Sequence, residues 1–180
     1  MFTTHPAIPE RILYAFPYGS KVYGTNTEKS DDDFIVVIEG KDEHERGIHE
    51  GDVNITVYSE ITFQRLLNEH DIAALECYFS NETHFTWALD LPQLRRSISA
   101  VASNSFVKCK KKLMPGPDYN PYVGKKSLFH SMRILDFGIQ IATHGRILDF
   151  TSSNDLFVEI MSIDSDDWNV YKERFQKRAN

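Results

Sequence analysis

The sequence predicts an α+β fold: a small mixed β-sheet core followed by a mostly helical C-terminal half. Three patterns carry this reading. Apolar or alternating runs of strand length fall early, at 11–18 (RILYAFPY), 33–38 (DFIVVI) and 52–58 (DVNITVY). Beyond residue 60 the apolar residues recur at helical spacing. Strands that come early, with helices after them, pack as α+β rather than as alternating βα units.

Taken in order, 11–18 reads as a buried strand that runs, past Pro17, into Gly19-Ser20. A short helix opens near 20–23 and is stopped by Gly24 and the polar stretch TNTEKS. The run 33–38 is a central strand ending at Glu39-Gly40. Residues 41–50 are highly charged and read as an exposed loop or hairpin excursion. In 52–58 polar and apolar residues alternate, so Val53, Ile55 and Val57 face the core, and Asp52, Asn54, Thr56 and Tyr58 share the other face. Ser59 or Thr62 caps a helix through Leu66-Leu67, and 72–79 continues at helical spacing. Leu91-Pro92 opens a long helix with a basic end, LRRSISAVASNSFVKCKKKL. Pro115, Gly116, Pro117 and Pro121 mark a boundary, which divides the chain into a core at 1–114 and a helical extension at 115–180. A second long helix covers 125–143 and ends at His144-Gly145, and Ser153 and Ser165 are N-cap candidates for two last helices.

Composition narrows the class. Hydrophobic residues make up 41% and charged residues 26% of the chain, which suits a globular protein. No apolar run approaches the ~20 residues of a membrane helix, and MFTTHPAIPE lacks the basic start and apolar stretch of a signal peptide. Cys77 and Cys109 have no metal-ligand or redox spacing, so reduced thiols in a cytoplasmic protein are expected. Charge is uneven: residues 1–90 hold 17 Asp/Glu and 6 Lys/Arg, whereas 91–180 hold 9 and 14. Such a division suits two solvated faces, or one half that holds cations and another that meets phosphates.

The chemistry concentrates in 19–34, GSKVYGTNTEKSDDDF. A strand that ends in Gly-Ser exposes backbone N–H groups, and glycine lets a phosphate approach closely. Asp31 and Asp33, two residues apart at a strand start, leave the same face. Two adjacent carboxylates repel unless a cation lies between them, and oxygen-only ligands favour Mg²⁺ or Mn²⁺. Phosphates beside a carboxylate-bound magnesium form the arrangement that phosphoryl or nucleotidyl transfer requires.

This segment resembles the signature of the DNA polymerase beta-type nucleotidyltransferase superfamily, G-S followed by D-x-D. It is most similar to a subgroup of predicted bacterial and phage nucleotidyltransferases whose motif reads G-S-x-x-Y-G-T-x-T-x-x-S-D-x-D. Gly19, Ser20, Tyr23, Gly24, Thr25, Thr27, Ser30, Asp31 and Asp33 match it. The resemblance implies that Asp31 and Asp33 ligate Mg²⁺ while Gly19 and Ser20 grip the triphosphate, most simply of ATP. Tyr23 and Gly24 would shape the loop, and Asp32 would point away. It also implies a third carboxylate on the strand 52–58. Asp52 is the expected catalytic and metal-binding residue, with Asn54 as the alternative third position.

On the helix 125–143, Lys126, His130 and Arg133 fall close to one face, and the subgroup resembles this pattern as well. They read as a cationic clamp on nucleotide or acceptor phosphates, or as a solvated face with His130 packed inward. Lys108, Lys110, Lys111 and Lys112 read as a solvated helix end. His5, His44, His49, His70, His84 and His144 show no metal-ligand spacing. The expected function is Mg²⁺-dependent transfer of a nucleotide, most simply AMP from ATP, to an acceptor hydroxyl with release of pyrophosphate. The acceptor is an RNA end, a protein side chain or a small molecule, and no membrane partner is expected. The rival reading is a nucleotide- or partner-binding module that keeps the pocket without the third acid.

Overall fold

Pro17 has no N–H to give a sheet ladder, so its strand belongs at an edge. In the computed structural model, which describes residues 3–165 and 167–179, strand β1 (Ile12–Tyr18) is indeed an edge strand. A four-residue helix, α1 (Ser20–Tyr23), separates β1 from β2 (Asp32–Ile38), and the two strands pair antiparallel. Strand β3 (Glu45–Glu50) forms the opposite edge, and β4 (Val53–Ser59) lies between β2 and β3. β4 runs parallel to β2 and antiparallel to β3. The fold is α+β with a mixed, four-stranded sheet in the order β1-β2-β4-β3.

The charged stretch 41–50 thus supplies an edge strand, joined to β4 through Gly51 at φ 60° and Asp52. Arg46 and Ile48 are half-buried and the other β3 residues exposed, a pattern that blunts the edge against further pairing. Alternation along the strands gives the sheet two faces. One gathers Ala15, Val36, Ile38, Ile55 and Val57 with Ile8. On the other, Phe16 stacks between Tyr14 and Phe63, with ring centroids 5.6 and 5.8 Å away. Phe63 belongs to α2 (Glu60–Asn68), which opens where the Ser59 Oγ accepts the Thr62 N–H at 3.2 Å. Helix α3 (Ile72–Ser80) opens on Asp71, whose Oδ1 accepts the Ala74 N–H at 3.0 Å.

The chain divides into two compact units, Met1–Leu89 and Asp90–Asn180. The division falls ahead of the first long helix, not at the 114/115 boundary that the proline-glycine cluster suggested. The reason is packing: α4 (Leu91–Leu113) lies along α5 (Pro121–His144), so the cluster is only the turn of a helical hairpin. A Cβ at Gly138 would stand 3.0 Å from Ile98, the Ser131 hydroxyl donates to the Ala102 carbonyl at 2.6 Å, and Gly124 abuts Leu113. These contacts run in opposite senses along the two helices, which makes the pair antiparallel. Helix α5 starts earlier than expected because Asn120 caps it, accepting the Val123 N–H at 3.1 Å, with Pro121 in the first turn.

Helices α6 (Asn154–Met161) and α7 (Trp168–Ala179) complete this unit around Cys109, Leu128, Met132, Ile160 and Tyr171. Ser153 precedes α6 as expected, but its hydroxyl donates to the Asp136 carboxylate rather than to the helix end. Near α7, the Ser165 hydroxyl accepts the Asp167 N–H at 3.1 Å, and Asp167 accepts the Asn169 N–H at 2.9 Å. Cys77 and Cys109 are both buried free thiols. Burial pushes the Cys109 thiol up to about 12, so it is protonated and inert at neutral pH. Among the described residues, no helix is long and apolar enough to cross a membrane.

Candidate metal centre

The acidic end of the sheet is built by register. Tyr18 pairs with Asp33, so the chain leaves β1 directly beside the first residues of β2. Gly19 follows at φ 77°, and a Cβ there would sit 2.2 Å from Asp33 Oδ2. Any side chain at 19 would meet both backbone strain and the carboxylate itself. The Gly19 carbonyl accepts the Val22 N–H at 3.0 Å, which turns the chain into α1, with half-buried Ser20 at its start.

The remaining motif residues hold this approach in place. Tyr23 is buried, and its hydroxyl donates to the buried carboxylate of Glu76 on α3. The Thr25 N–H returns to the Ser20 carbonyl at 3.0 Å. Thr27 and Ser30 close a local turn: the Thr27 N–H donates to Ser30 Oγ at 2.8 Å, and the Ser30 N–H to the Thr27 carbonyl at 3.0 Å. That turn delivers Asp31 to the mouth of β2. Asp32 faces elsewhere, paired with Lys21 at 2.6 Å.

Opposite Asp33 in the parallel ladder stands Asn54. Its amide nitrogen donates to Asp31 Oδ2 at 3.2 Å and to Asp33 Oδ1 at 3.1 Å. The structure therefore brings Asn54 beside Asp31 and Asp33, and not Asp52, the carboxylate expected there as a catalytic and metal-binding residue. β4 begins at Val53, which leaves Asp52 an exposed turn residue whose backbone carbonyl accepts the Asp32 N–H at 2.7 Å. Among the described residues, no group of three or more His, Cys, Asp or Glu side chains is placed to hold a metal ion. The donors at this end are two carboxylates and one amide. Such an all-oxygen set fits a hard divalent cation such as Mg²⁺, and Gly19 leaves Asp33 the space to serve it.

One member of the cluster carried no sequence signal. His49 lies across from Asn54 in the β3–β4 ladder, and its Nδ1 is 2.7 Å from Asn54 Oδ1. Spacing rules look along the chain, whereas this pair forms across a hairpin. Reading 45–50 as a strand folded back at Gly51 would have found it.

The basic residues belong to the second unit. Lys126 lies over the ring of Tyr122, 5.5 Å from its centroid. Its neighbour Lys125 donates to the carbonyls of Met161 and Ile163, at 3.2 and 2.6 Å, at the end of α6. Arg133 is only 1% exposed, sits over Phe137 at 4.9 Å and donates to His130 Nδ1 at 3.0 Å. Burial, then the charges of Arg133 and Lys108, push the His130 imidazole down to about 3, so the ring is neutral. Of the three residues read as a clamp, Lys126 alone is a cation outside the core.

No family model matches the chain, and no curated protein matches it. Among solved structures, a nucleotidyltransferase-like protein from Exiguobacterium sibiricum 255-15 is similar over 92% of this chain at 14% identity, with a TM-score of 0.28. The chain spans 60% of that protein's length.

Two outcomes follow from this geometry. Gly19→Ala should cost about 1–3 kcal/mol in urea denaturation, because the methyl group adds a positive-φ penalty to a collision with Asp33. Unchanged stability would mean that the Gly19–Asp33 approach relaxes freely. His130 tests the second unit. From its ordinary value of 6.5 down to about 3, an unfolded chain binds a proton that the folded ring refuses. Stability should therefore fall on acidification through that window by up to roughly 1.4 kcal/mol per pH unit. His130→Gln should flatten that part of the curve, and equal slopes in the two proteins would contradict the assignment.

Proposed function

We propose that this chain binds a nucleoside triphosphate, most simply ATP, as its magnesium complex and transfers the nucleotidyl group to an acceptor hydroxyl. The observation that carries the reading is the convergence of Asp31 and Asp33 on one Asn54 amide, beside a glycine that leaves room at Asp33. A purely structural role gives no reason to gather two carboxylates, since together they repel. Asp31 and Asp33 would hold the cation, which supplies charge neutralisation for the phosphates and leaving group. Gly19 and Ser20 would receive the triphosphate through backbone N–H groups and the serine hydroxyl. Lys126, His130 and Arg133, the expected phosphate clamp, belong to the second unit, where Lys126 lies over Tyr122 and Arg133 packs on His130. The positive balance of 91–180 favours an RNA end among the acceptors, ahead of a protein side chain or a small molecule.

Asn54 supports a second reading, a module that binds Mg-ATP and turns it over slowly or not at all. An amide oxygen can ligate a cation, but it cannot take the proton of an attacking hydroxyl as a carboxylate can.

Calorimetry separates these readings from a structural role for the acids. ATP should bind with Mg²⁺ and lose most of its affinity in EDTA, and Asp33→Asn should abolish the Mg²⁺-dependent part. In the metal-free protein the same substitution should leave the melting temperature unchanged or raise it, since it removes one of two repelling charges. Equal affinity with and without EDTA would sink the metal site. Asn54→Asp then distinguishes enzyme from module. With labelled ATP and total RNA or cell protein, it should raise transfer above wild type if the missing proton acceptor limits turnover. Active wild-type transfer that Asn54→Asp does not raise would place the proton acceptor elsewhere.

A further inference from the structure

Resting on the metal-site reading above, we infer that His49 positions Asn54 for the cation, and that the two side chains switch together when it binds. In the structure these side chains form a chain of three links. Asn54 Nδ2 donates to Asp31 and Asp33 at 3.2 and 3.1 Å, and Asn54 Oδ1 faces His49 Nδ1 at 2.7 Å. An amide oxygen carries no proton, so the short contact requires His49 to be the donor, with its hydrogen on Nδ1.

A cation between the carboxylates reverses what Asn54 must present. An NH₂ group directed at a divalent ion is repelled, and its two acceptors are then taken up by the ion. The amide oxygen is the end that a hard cation accepts. Turning about the Cβ–Cγ bond exchanges the two ends with little change of shape, because an amide is nearly symmetric in outline. The NH₂ group then faces His49 Nδ1, which must accept. For that, the proton on Nδ1 is lost to solvent and one is gained on Nε2. The ring stays neutral, and no net proton is released. A neutral imidazole nitrogen takes either role by a change of tautomer, without a change of charge.

Placement supports a positioning role. His49 lies on the exposed edge strand β3, where solvent can carry the proton from one nitrogen to the other. Its backbone is registered to Asn54 by the ladder. Gly47, two residues earlier on the same face, has no side chain, and even a Cβ there would lie 3.7 Å from His49 Nε2. The ring thus rests over a gap beside Asn54. Among the described residues, His49 reaches Asp31 and Asp33 through the Asn54 amide, so it acts through Asn54 and not as a ligand itself.

The test is the tautomer of His49, read by long-range ¹H–¹⁵N NMR from the carbon-bound ring protons at pH 8, in the whole chain. In EDTA the proton should reside on Nδ1, and at saturating Mg²⁺ alone it should reside on Nε2. Asn54→Asp supplies the internal control, because a carboxylate has no donor end to turn towards the ring. In that variant His49 should keep its Nδ1 proton with and without Mg²⁺, while calorimetry still shows Mg²⁺ binding. If wild type binds Mg²⁺ calorimetrically and the tautomer stays the same, the coupling is overturned and the metal site stands. If no Mg²⁺ binding is measured at all, the metal site itself fails and the coupling fails with it.

Discussion

Two carboxylates held side by side at the mouth of a parallel strand pair are the constraint on which the rest of this unit depends. At ~4 Å two unit charges repel by roughly 1 kcal/mol in water and about 4 kcal/mol near a protein surface. A neutral Asn54 amide, donating one hydrogen to each, offsets this through charge-assisted bonds of about 1.5–3 kcal/mol. The compensation is adequate for a folded resting protein. A divalent cation at the same place would neutralise both charges where the amide only solvates them.

The fold around the pair is organised to keep that juxtaposition. The antiparallel β1–β2 register brings Tyr18 to Asp33, and the parallel β2–β4 register brings Asn54 to the same residue. Gly19 allows the approach because a Cβ would occupy the place of the Asp33 carboxylate. In the loop between the two strands, the Tyr23 hydroxyl reaches the buried Glu76 and ties the motif to α3. Strand β3 contributes little to the core, but it carries His49, whose Nδ1 lies 2.7 Å from the amide oxygen of Asn54. Sheet topology and site chemistry are therefore the same decision, made by register.

Local patterns in the sequence were enough for much of this. The alternation Val53, Ile55, Val57 named the core face of β4 and left Asn54 and Asp52 as the candidates opposite. The Ser59 cap, the strand 33–38 and both long helices were readable because caps and periodicity act within a few residues. Register across strands is a different matter. Whether Asp52 or Asn54 meets Asp33 depends on where β4 begins relative to β2, a long-range fact that alternation cannot fix, because both residues share one face. The same limit hid His49, whose partner lies across a hairpin. It also misplaced the boundary: prolines and glycines at 115–117 mark a turn whether or not the flanking helices pack together, and Ile98 against Gly138 shows that they do. Arg133 was legible as a cation on a helix face, but its burial depended on which face the second unit turned inwards.

The most direct measurement is a crystal of the protein grown with Mn²⁺, whose anomalous scattering locates the ion independently of the protein atoms. The account predicts one strong peak within bonding distance of carboxylate oxygens from both Asp31 and Asp33, with the Asn54 amide oxygen turned towards it. A peak elsewhere, with Asn54 still donating to both carboxylates, would contradict it.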